Sequence, residues 1–191
     1  MKWNIPISII AIAMLAFTAR YEVNYFDYAS PIPYSKWQTI SFADFKGLDK
    51  PGETLNGVSE FAFIKMDRII TFLPENKVAI TTYFYPSRSY VFNQNIRNND
   101  LLRHELYHFH IAEYCSRLFR KELSETDNAD ASVVDQLKIK YTELEKSMQI
   151  EYDEESYHSY VLSEQKKWET TIDKDLASLA NFSDPVISLK K

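Results

Sequence analysis

Cysteine is nearly absent from this sequence of 191 residues, whose one thiol is Cys115. A single cysteine excludes an intramolecular disulfide framework and any metal site built from several thiolates, so zinc fingers and disulfide-stapled small domains are excluded. Glycine is also scarce, with 3 residues. Positive charge is not in excess, because 22 basic residues stand against 27 acidic ones and the net charge is −5. Nucleic acid is therefore not an expected partner.

Apolar residues are plentiful, at 45% of the chain, and aromatic residues make up 15%. Side chains of this size and number can fill a core without disulfides or structural metals, and the length fits one domain. We expect a single domain over residues 20–191, β-rich over 20–97 and helical over 98–182.

The first 19 residues differ in composition from the rest. Residues 5–17 form an almost unbroken apolar run, and Lys2 is the only charge before Arg20. The run is shorter than the hydrocarbon core of a bilayer, which favours a cleavable signal peptide over a permanent span. An uncleaved N-terminal anchor and a buried N-terminal helix are the alternatives. The signal peptide and the anchor both predict an exported protein, periplasmic or extracellular. Such a protein contacts a membrane only through residues 1–19, if these are retained.

Short runs rich in β-branched and aromatic residues mark the first half of the chain. The runs 58–64, 68–73 and 77–85 predict strands of an antiparallel meander, with a turn at 74–76 between the last two. A further short strand is expected at 39–42.

Helical signals dominate the second half. Asn99 and Asp100 offer an N-cap and a first-turn acid before a strongly apolar stretch that ends near residue 123. Apolar residues at helical spacing over 137–148 predict a second, amphipathic helix, and a similar stripe predicts a third over 157–180. The expected fold class is α+β, with an N-terminal antiparallel sheet followed by this first helix and a C-terminal helical part.

The first helix carries the sequence HELYH, in which His104 and His108 are four residues apart. Residues at this spacing lie on one helix face, so both imidazoles can bind one zinc ion. Glu105 lies about 100° further round the helix, where its carboxylate can act as a general base on a water molecule rather than as a ligand.

A hydrolytic zinc site needs a third protein ligand. His110 lies about 200° round the helix from His108 and is expected to point away from the metal. His158, on the apolar face of the expected third helix, is the preferred third ligand. The alternatives are carboxylates near the ends of the helices: Glu122, Glu125, Asp153, Glu154 and Glu155.

Other polar residues near His158 have possible supporting roles. Asp153, Glu154 and Glu155 could accept the second ring proton of a ligating imidazole. Tyr152 or Tyr157 could donate a hydrogen bond to an oxyanion formed during hydrolysis. Glu113 is expected to play a supporting or surface role, and Cys115 is expected to be inert packing.

Several blocks of the sequence resemble a bacterial family of predicted secreted zinc peptidases, known as domain of unknown function 922. The resemblance covers roughly residues 37–180 and includes DLLRHELYHFHIAE around the two histidines. The matching positions outside that block are Trp37, 44–47, 89–91, Tyr152, Asp153, Ser156, His158, Gln165, Trp168 and Ile172. The resemblance implies a zincin-like fold. In place of the glycine that the family has after His158, this chain has Ser159.

The expected function is that of an exported zinc-dependent metallopeptidase of the HExxH type. Its substrate would be a peptide or protein, and metal-activated water would attack the peptide carbonyl with Glu105 as general base. The strand at 77–85 is expected to be able to pair with an extended substrate. Two alternatives stay open: a noncatalytic exported binding protein on the same scaffold, and an amidase that acts on cell-wall peptide.

Overall fold

The structure, a computed structural model, describes residues 28–47, 62–91 and 98–190. These residues form an α+β arrangement of a small antiparallel sheet and a helical C-terminal part, as the sequence predicts. The strands are β1 (Ile32–Pro33), β2 (Ala62–Phe63), β3 (Met66–Leu73), β4 (Lys77–Phe84), β5 (Tyr90–Val91) and β6 (Val186–Ser188), and the helices are α1 (Asn99–Glu125), α2 (Ala131–Ser156) and α3 (Leu162–Ser178).

The hairpin of β3 and β4 is the main unit of the sheet. Its strands pair antiparallel from Met66 opposite Phe84 to Leu73 opposite Lys77. Glu75 and Asn76 turn the chain with φ angles of 59° and 58°, the left-handed conformation that suits the right-handed twist of a tight hairpin. The predicted pair of strands at 68–73 and 77–85 is confirmed.

Strand β4 lies inside the sheet and has neighbours along both edges. One edge pairs with β3, and the other pairs with β1 near Phe84 and with β6 near Val78. The expectation that residues 77–85 pair with a substrate is therefore wrong, because strands of the same chain already pair with both edges of β4.

The other strand predictions in the first half are corrected in part. Instead of a strand, residues 39–42 span the end of one short 3₁₀ helix, Tyr34–Thr39, and the start of another, Phe42–Asp44. Ser41 accepts a hydrogen bond from the amide of Ala43, and Asp44 accepts one from the amide of Ser41. This reciprocal cap favours a helical turn over a strand. Of the predicted strand 58–64, residues 62–63 form β2, and residues 58–61 lie outside the described residues.

Strand β6 was not predicted from the sequence. It is only three residues long and follows a helical region, so it lacks the alternation that identifies longer strands. Ile187 pairs with Val78, and the amide of Leu189 donates to the carbonyl of Asn76 at 2.9 Å. The end of the described chain thus completes the sheet.

Helix α1 runs through the protein between the sheet and the other two helices. Asn98 caps its first turn by accepting a hydrogen bond from the amide of Leu101 at 2.8 Å, the capping role predicted for a neighbouring asparagine. The helix is buried on several sides, since Phe109, Ile111 and Phe119 are all fully buried. Phe109 packs towards β4, whereas Ile111 packs against α2 and α3.

Helices α2 and α3 are separate. The predicted third helix over 157–180 begins later, at Leu162, because the four residues before Val161 form a turn. Helix α3 then buries Gln165, Glu169, Ile172 and Leu176, which follow the helical spacing of the predicted stripe.

The predicted signal peptide or anchor at residues 1–19 lies outside the described residues. Among the residues that are described, none of the helices is both long enough and apolar enough to span a bilayer.

Candidate metal centre

The two histidines of the HELYH sequence face one point on helix α1. Their Nε2 atoms lie 3.2 Å apart. His104 is 2% exposed and His108 is 8% exposed, so both imidazoles are removed from bulk water. The helix spacing produces this pairing directly, since residues four apart lie above one another on one face.

Helix α2 brings a carboxylate to the same point. Asp153 Oδ1 lies 3.1 Å from His104 Nε2 and 3.0 Å from His108 Nε2. Together with the distance between the two imidazoles, these values define a triangle of donor atoms with sides of 3.0 to 3.2 Å.

His158 is the fourth member of the cluster and lies in the turn between α2 and α3. Its Nδ1 atom is 3.2 Å from Asp153 Oδ1. His104, Asp153 and His158 can each offer a donor atom within 4.8 Å of the others. The predicted location of His158 on a helix face is wrong, yet the turn still carries its ring to the cluster.

The turn that carries His158 has an unusual backbone. Tyr157, His158 and Ser159 have φ angles of 48°, 51° and 75°. Residues with a Cβ atom rarely adopt this left-handed conformation, which costs about 1 kcal/mol or more for each of them. Helix α2 therefore ends with a strained turn, and Ser159 occupies a position where glycine would be less strained.

Tyr152 fixes the orientation of the two helical imidazoles. Its ring stacks on His104 with centroids 4.6 Å apart and meets His108 edge-on at 5.0 Å. Its hydroxyl group lies 3.5 Å from the carbonyl of His104 and faces the helix backbone. The hydroxyl therefore does not occupy the oxyanion-donor position considered from the sequence.

Two further residues of the predicted site lie at the surface. The Tyr157 side chain is 56% exposed, and its ring packs against Tyr160. Glu154 is exposed, although it adjoins Asp153 in sequence. Consecutive helical residues point about 100° apart, so the turn of α2 that directs Asp153 inwards directs Glu154 outwards.

Gln149 is a site residue that the sequence analysis missed. Its side-chain oxygen accepts a hydrogen bond from Nδ1 of His108, and its nitrogen donates to the backbone carbonyl of His108 at 3.0 Å. The first contact holds the proton on Nδ1 and leaves Nε2 free as a metal donor. The sequence does contain a signal for Gln149 as a site residue: it lies four residues before Asp153 and therefore on the same face of α2.

Glu105 is buried on the wall of an adjoining cleft. The cleft has a volume of about 570 Å³. Its lining comprises the four cluster residues with Glu105, Gln149 and Leu101 on one side, and residues 62–66 with Tyr90 on the other. The carboxylate of Glu105 accepts a hydrogen bond from the backbone amide of Ile64. The predicted general base and the histidine cluster thus face the same space.

The electrostatics of the cluster follow from burial and from the central carboxylate. Burial raises the pKa of Glu105 to about 7 and lowers the pKa of His104 to about 4. Burial opposes the charged form of His108, but the hydrogen bond and negative charge of Asp153 raise its pKa to about 9. Burial likewise opposes ionisation of Asp153, but hydrogen bonds from the three imidazoles hold its pKa well below the usual range. Asp153 thus favours the charged form of His108, and the imidazoles favour the charged form of Asp153.

Comparison with known protein families, curated proteins and solved structures finds no match to this chain. The resemblance to the zinc peptidase family therefore stays a prediction.

The other candidate ligands are placed elsewhere. Glu122 accepts hydrogen bonds from Lys140 and Tyr141 near the far end of α1. Glu125, near the same end, is exposed. The Glu155 carboxylate accepts a hydrogen bond from the Trp168 indole at 2.6 Å. Among the predicted alternative carboxylates, Asp153 alone joins the cluster within the described part of the chain.

Three other residues of α1 lie outside the cluster and are buried in the interior of the protein: His110, Glu113 and Cys115. His110 is packed against Trp37, and its Nδ1 lies 2.9 Å from the Tyr34 hydroxyl oxygen. Glu113 pairs with Arg120 at 2.8 Å in the interior, which corrects its expected surface role. Cys115 is fully buried, and burial raises its pKa to about 12. A thiol in this environment is unreactive at neutral pH.

The residues of the cluster fit a zinc ion by their chemistry. Imidazole nitrogens and a carboxylate oxygen are the donors that zinc uses, and tetrahedral bonds of about 2.0 to 2.1 Å place neighbouring donors about 3.3 to 3.4 Å apart. The observed triangle is within a few tenths of an ångström of that spacing. The other ring nitrogen of His104, Nδ1, does not face the cluster and is buried without a hydrogen-bond partner among the described residues.

The contact of Gln149 with His108 gives a testable prediction. Replacing Gln149 by leucine keeps the size of the side chain but removes both hydrogen bonds, so the His108 ring loses its fixed orientation. Loss of such a supporting contact commonly weakens metal affinity about 10- to 100-fold. Zinc affinity, measured by competition with a chromophoric chelator, should fall by that amount.

The exposed Gln136 on the same helix provides the matched control. Gln136→Leu should leave zinc affinity unchanged. An affinity of Gln149→Leu equal to that of the unmodified protein would show that the ring of His108 is oriented without this contact.

Proposed function

We propose that the protein is an exported zinc-dependent hydrolase of peptide bonds, built on a zincin-like scaffold. The observation that carries the proposal is the convergence of His104, His108, Asp153 and His158 beside a buried glutamate on one cleft. A metal bound by structural ligands alone has no need for such a carboxylate, whereas hydrolysis requires a base at this position. The apolar run at residues 5–17 supports the exported location.

The residues of the cluster would hold the metal, and zinc supplies Lewis-acid activation of water and of a carbonyl group. Glu105 would accept a proton from the attacking water and pass it to the leaving amine. Its place beside the cluster, on the wall of the same cleft, suits both steps.

The apolar lining of the opposite wall of the cleft favours a polypeptide as the substrate. Ala62, Phe63, Ile64 and Met66 line it with apolar surface, and Phe63 packs against Tyr90 with ring centroids 5.5 Å apart. An apolar cleft with a few polar groups at one end is typical of sites that hold a side chain while a polar bond is positioned for reaction.

The decisive experiment uses the protein without residues 1–19, compared with the full chain to verify folding. We expect close to one zinc ion per chain by elemental analysis. We also expect cleavage of members of a mixed peptide library, detected by mass spectrometry. Cleavage should stop on treatment with a chelator and return when zinc is added.

His110→Ala is the matched control for the metal-site variants, because His110 is a buried histidine of the same helix outside the cluster. His104→Ala and His108→Ala should lose most of the zinc, whereas His110→Ala should retain it. Zinc binding without cleavage of any library member would favour the noncatalytic binding protein. Cleavage confined to cell-wall peptides would favour the amidase.

A further inference from the structure

The four donors of the cluster are not equivalent. Asp153 Oδ1 lies within 3.2 Å of a nitrogen of each of the three imidazoles. The short contact that His158 makes in the cluster is the one to Asp153. The three donors His104 Nε2, His108 Nε2 and Asp153 Oδ1 thus form a complete triangle. Three donors at this mutual spacing satisfy the minimum of a tight zinc site.

The elements that carry the donors differ in rigidity. His104, His108 and Asp153 belong to the long helices α1 and α2, which pack on each other through the buried ring of Tyr152. His158 belongs to the turn in which three successive residues have positive φ angles. Relaxation of a strained turn lowers the free energy of the chain. His158 is therefore the donor that can leave the cluster with least disturbance of the fold.

We infer that Asp153 is the third fixed metal ligand, with His104 and His108, and that His158 is a fourth, replaceable ligand that closes the site at rest. The inference rests on the proposed function, because it assigns roles within the same metal site. A zinc site with four protein ligands is closed, and a hydrolytic one keeps a position open. Release of His158 would convert the first kind into the second.

The side-chain exposure of His158 agrees with this role. Among the three histidines, the His158 side chain is the most exposed, at 20%, whereas those of His104 and His108 are 2% and 10% exposed; the Asp153 side chain is 30% exposed. The turn also borders the cleft that would receive the substrate. A substrate that enters the cleft can therefore reach His158 before it reaches the two helical histidines.

The test compares zinc affinities of single variants by chelator competition. Asp153→Ala should lose affinity about as severely as His104→Ala, by more than about 100-fold, because a fixed ligand is lost. His158→Ala should lose about 10-fold or less, since three ligands remain. Glu154→Ala, which removes the adjacent exposed carboxylate, is the matched control and should bind zinc normally. Asp153→Asn guards against a folding defect, because it preserves the size of the side chain.

A second measurement tests replacement directly. Cobalt(II) is loaded in place of zinc, and imidazole is added while the visible absorption spectrum is recorded. Imidazole should restore the spectrum of the unmodified protein in His158→Ala, because the free ring fills the vacated position. It should not do so in Asp153→Ala.

The outcomes separate this inference from the proposed function. If the unmodified protein binds no zinc, both fail. If it binds zinc and Asp153→Ala and Asp153→Asn keep that affinity while His158→Ala loses it, Asp153 is only a hydrogen-bond partner and the inference alone is overturned. Equal and severe losses in Asp153→Ala and His158→Ala would show that His158 is a fixed ligand.

Discussion

Replacing Glu105 by glutamine is expected to abolish most zinc-dependent peptide cleavage while the zinc content stays the same. Glutamine preserves the shape of the side chain but cannot take up a proton from water. General-base assistance commonly contributes about 10² to 10⁴ in rate, so kcat/KM should fall by that factor. The measurement is a steady-state assay with a peptide found in the library experiment, at saturating zinc.

Zinc content and thermal stability provide the internal control for this variant, because a misfolded protein would lose both. Glu154→Gln removes an exposed carboxylate close to the site and should cleave at the normal rate. If Glu105→Gln keeps its zinc and cleaves as fast as the unmodified protein, another group acts as the base and the proposed role of Glu105 is wrong.

The second large effect concerns the buried ion pair of Arg120 and Glu113. The two side chains are 1% and 3% exposed and lie 2.8 Å apart. Arg120 also donates to the carbonyl of Phe182, and Glu113 accepts from Thr82 of the sheet at 2.9 Å. Arg120→Met would remove one of the two charged partners of Glu113 and leave Arg117 as the other, so the free energy of unfolding should fall by about 3 to 5 kcal/mol. Urea denaturation followed by circular dichroism measures this change.

Lys121→Met is the comparison for that experiment. Lys121 adjoins Arg120, but its pair with Glu125 is exposed and 3.6 Å long, so its loss should cost about 1 kcal/mol or less. The double variant Arg120→Met with Glu113→Gln should recover part of the stability, because no full carboxylate charge then stays buried. A cost for Arg120→Met no larger than for Lys121→Met would show that the buried pair contributes nothing measurable.

The sequence predicts the part of the site that depends on one helix. His104, Glu105 and His108 are related by helical spacing alone, and the structure places all three where that spacing requires. Asp153 and Gln149 come from a different helix, and their positions depend on how α2 packs on α1. Periodicity indicates which face of a helix is buried, but it does not indicate which turn lies opposite a given residue.

The fold shows the same division. The β3–β4 hairpin and the existence of three helices follow from patterns within short windows of sequence. The pairing of β6 with β4 and the left-handed turn at His158 do not, because they depend on contacts between distant segments and on a backbone conformation that tyrosine, histidine and serine rarely adopt. The location of His158 was consequently predicted correctly in space but wrongly in secondary structure.

The late arrival of β6 also affects how the protein is made. A ribosome completes β4 long before it reaches Val186, so the edge of β4 around Val78 has no partner from this chain while the three helices are being synthesised. An unpaired strand edge is a template for a strand of another molecule. Proteolytic removal of residues 186–188 would recreate that edge in the finished protein. Strand β6 therefore covers this edge only once synthesis has passed Ser188, and its pairing with β4 then removes the edge as a template for another molecule.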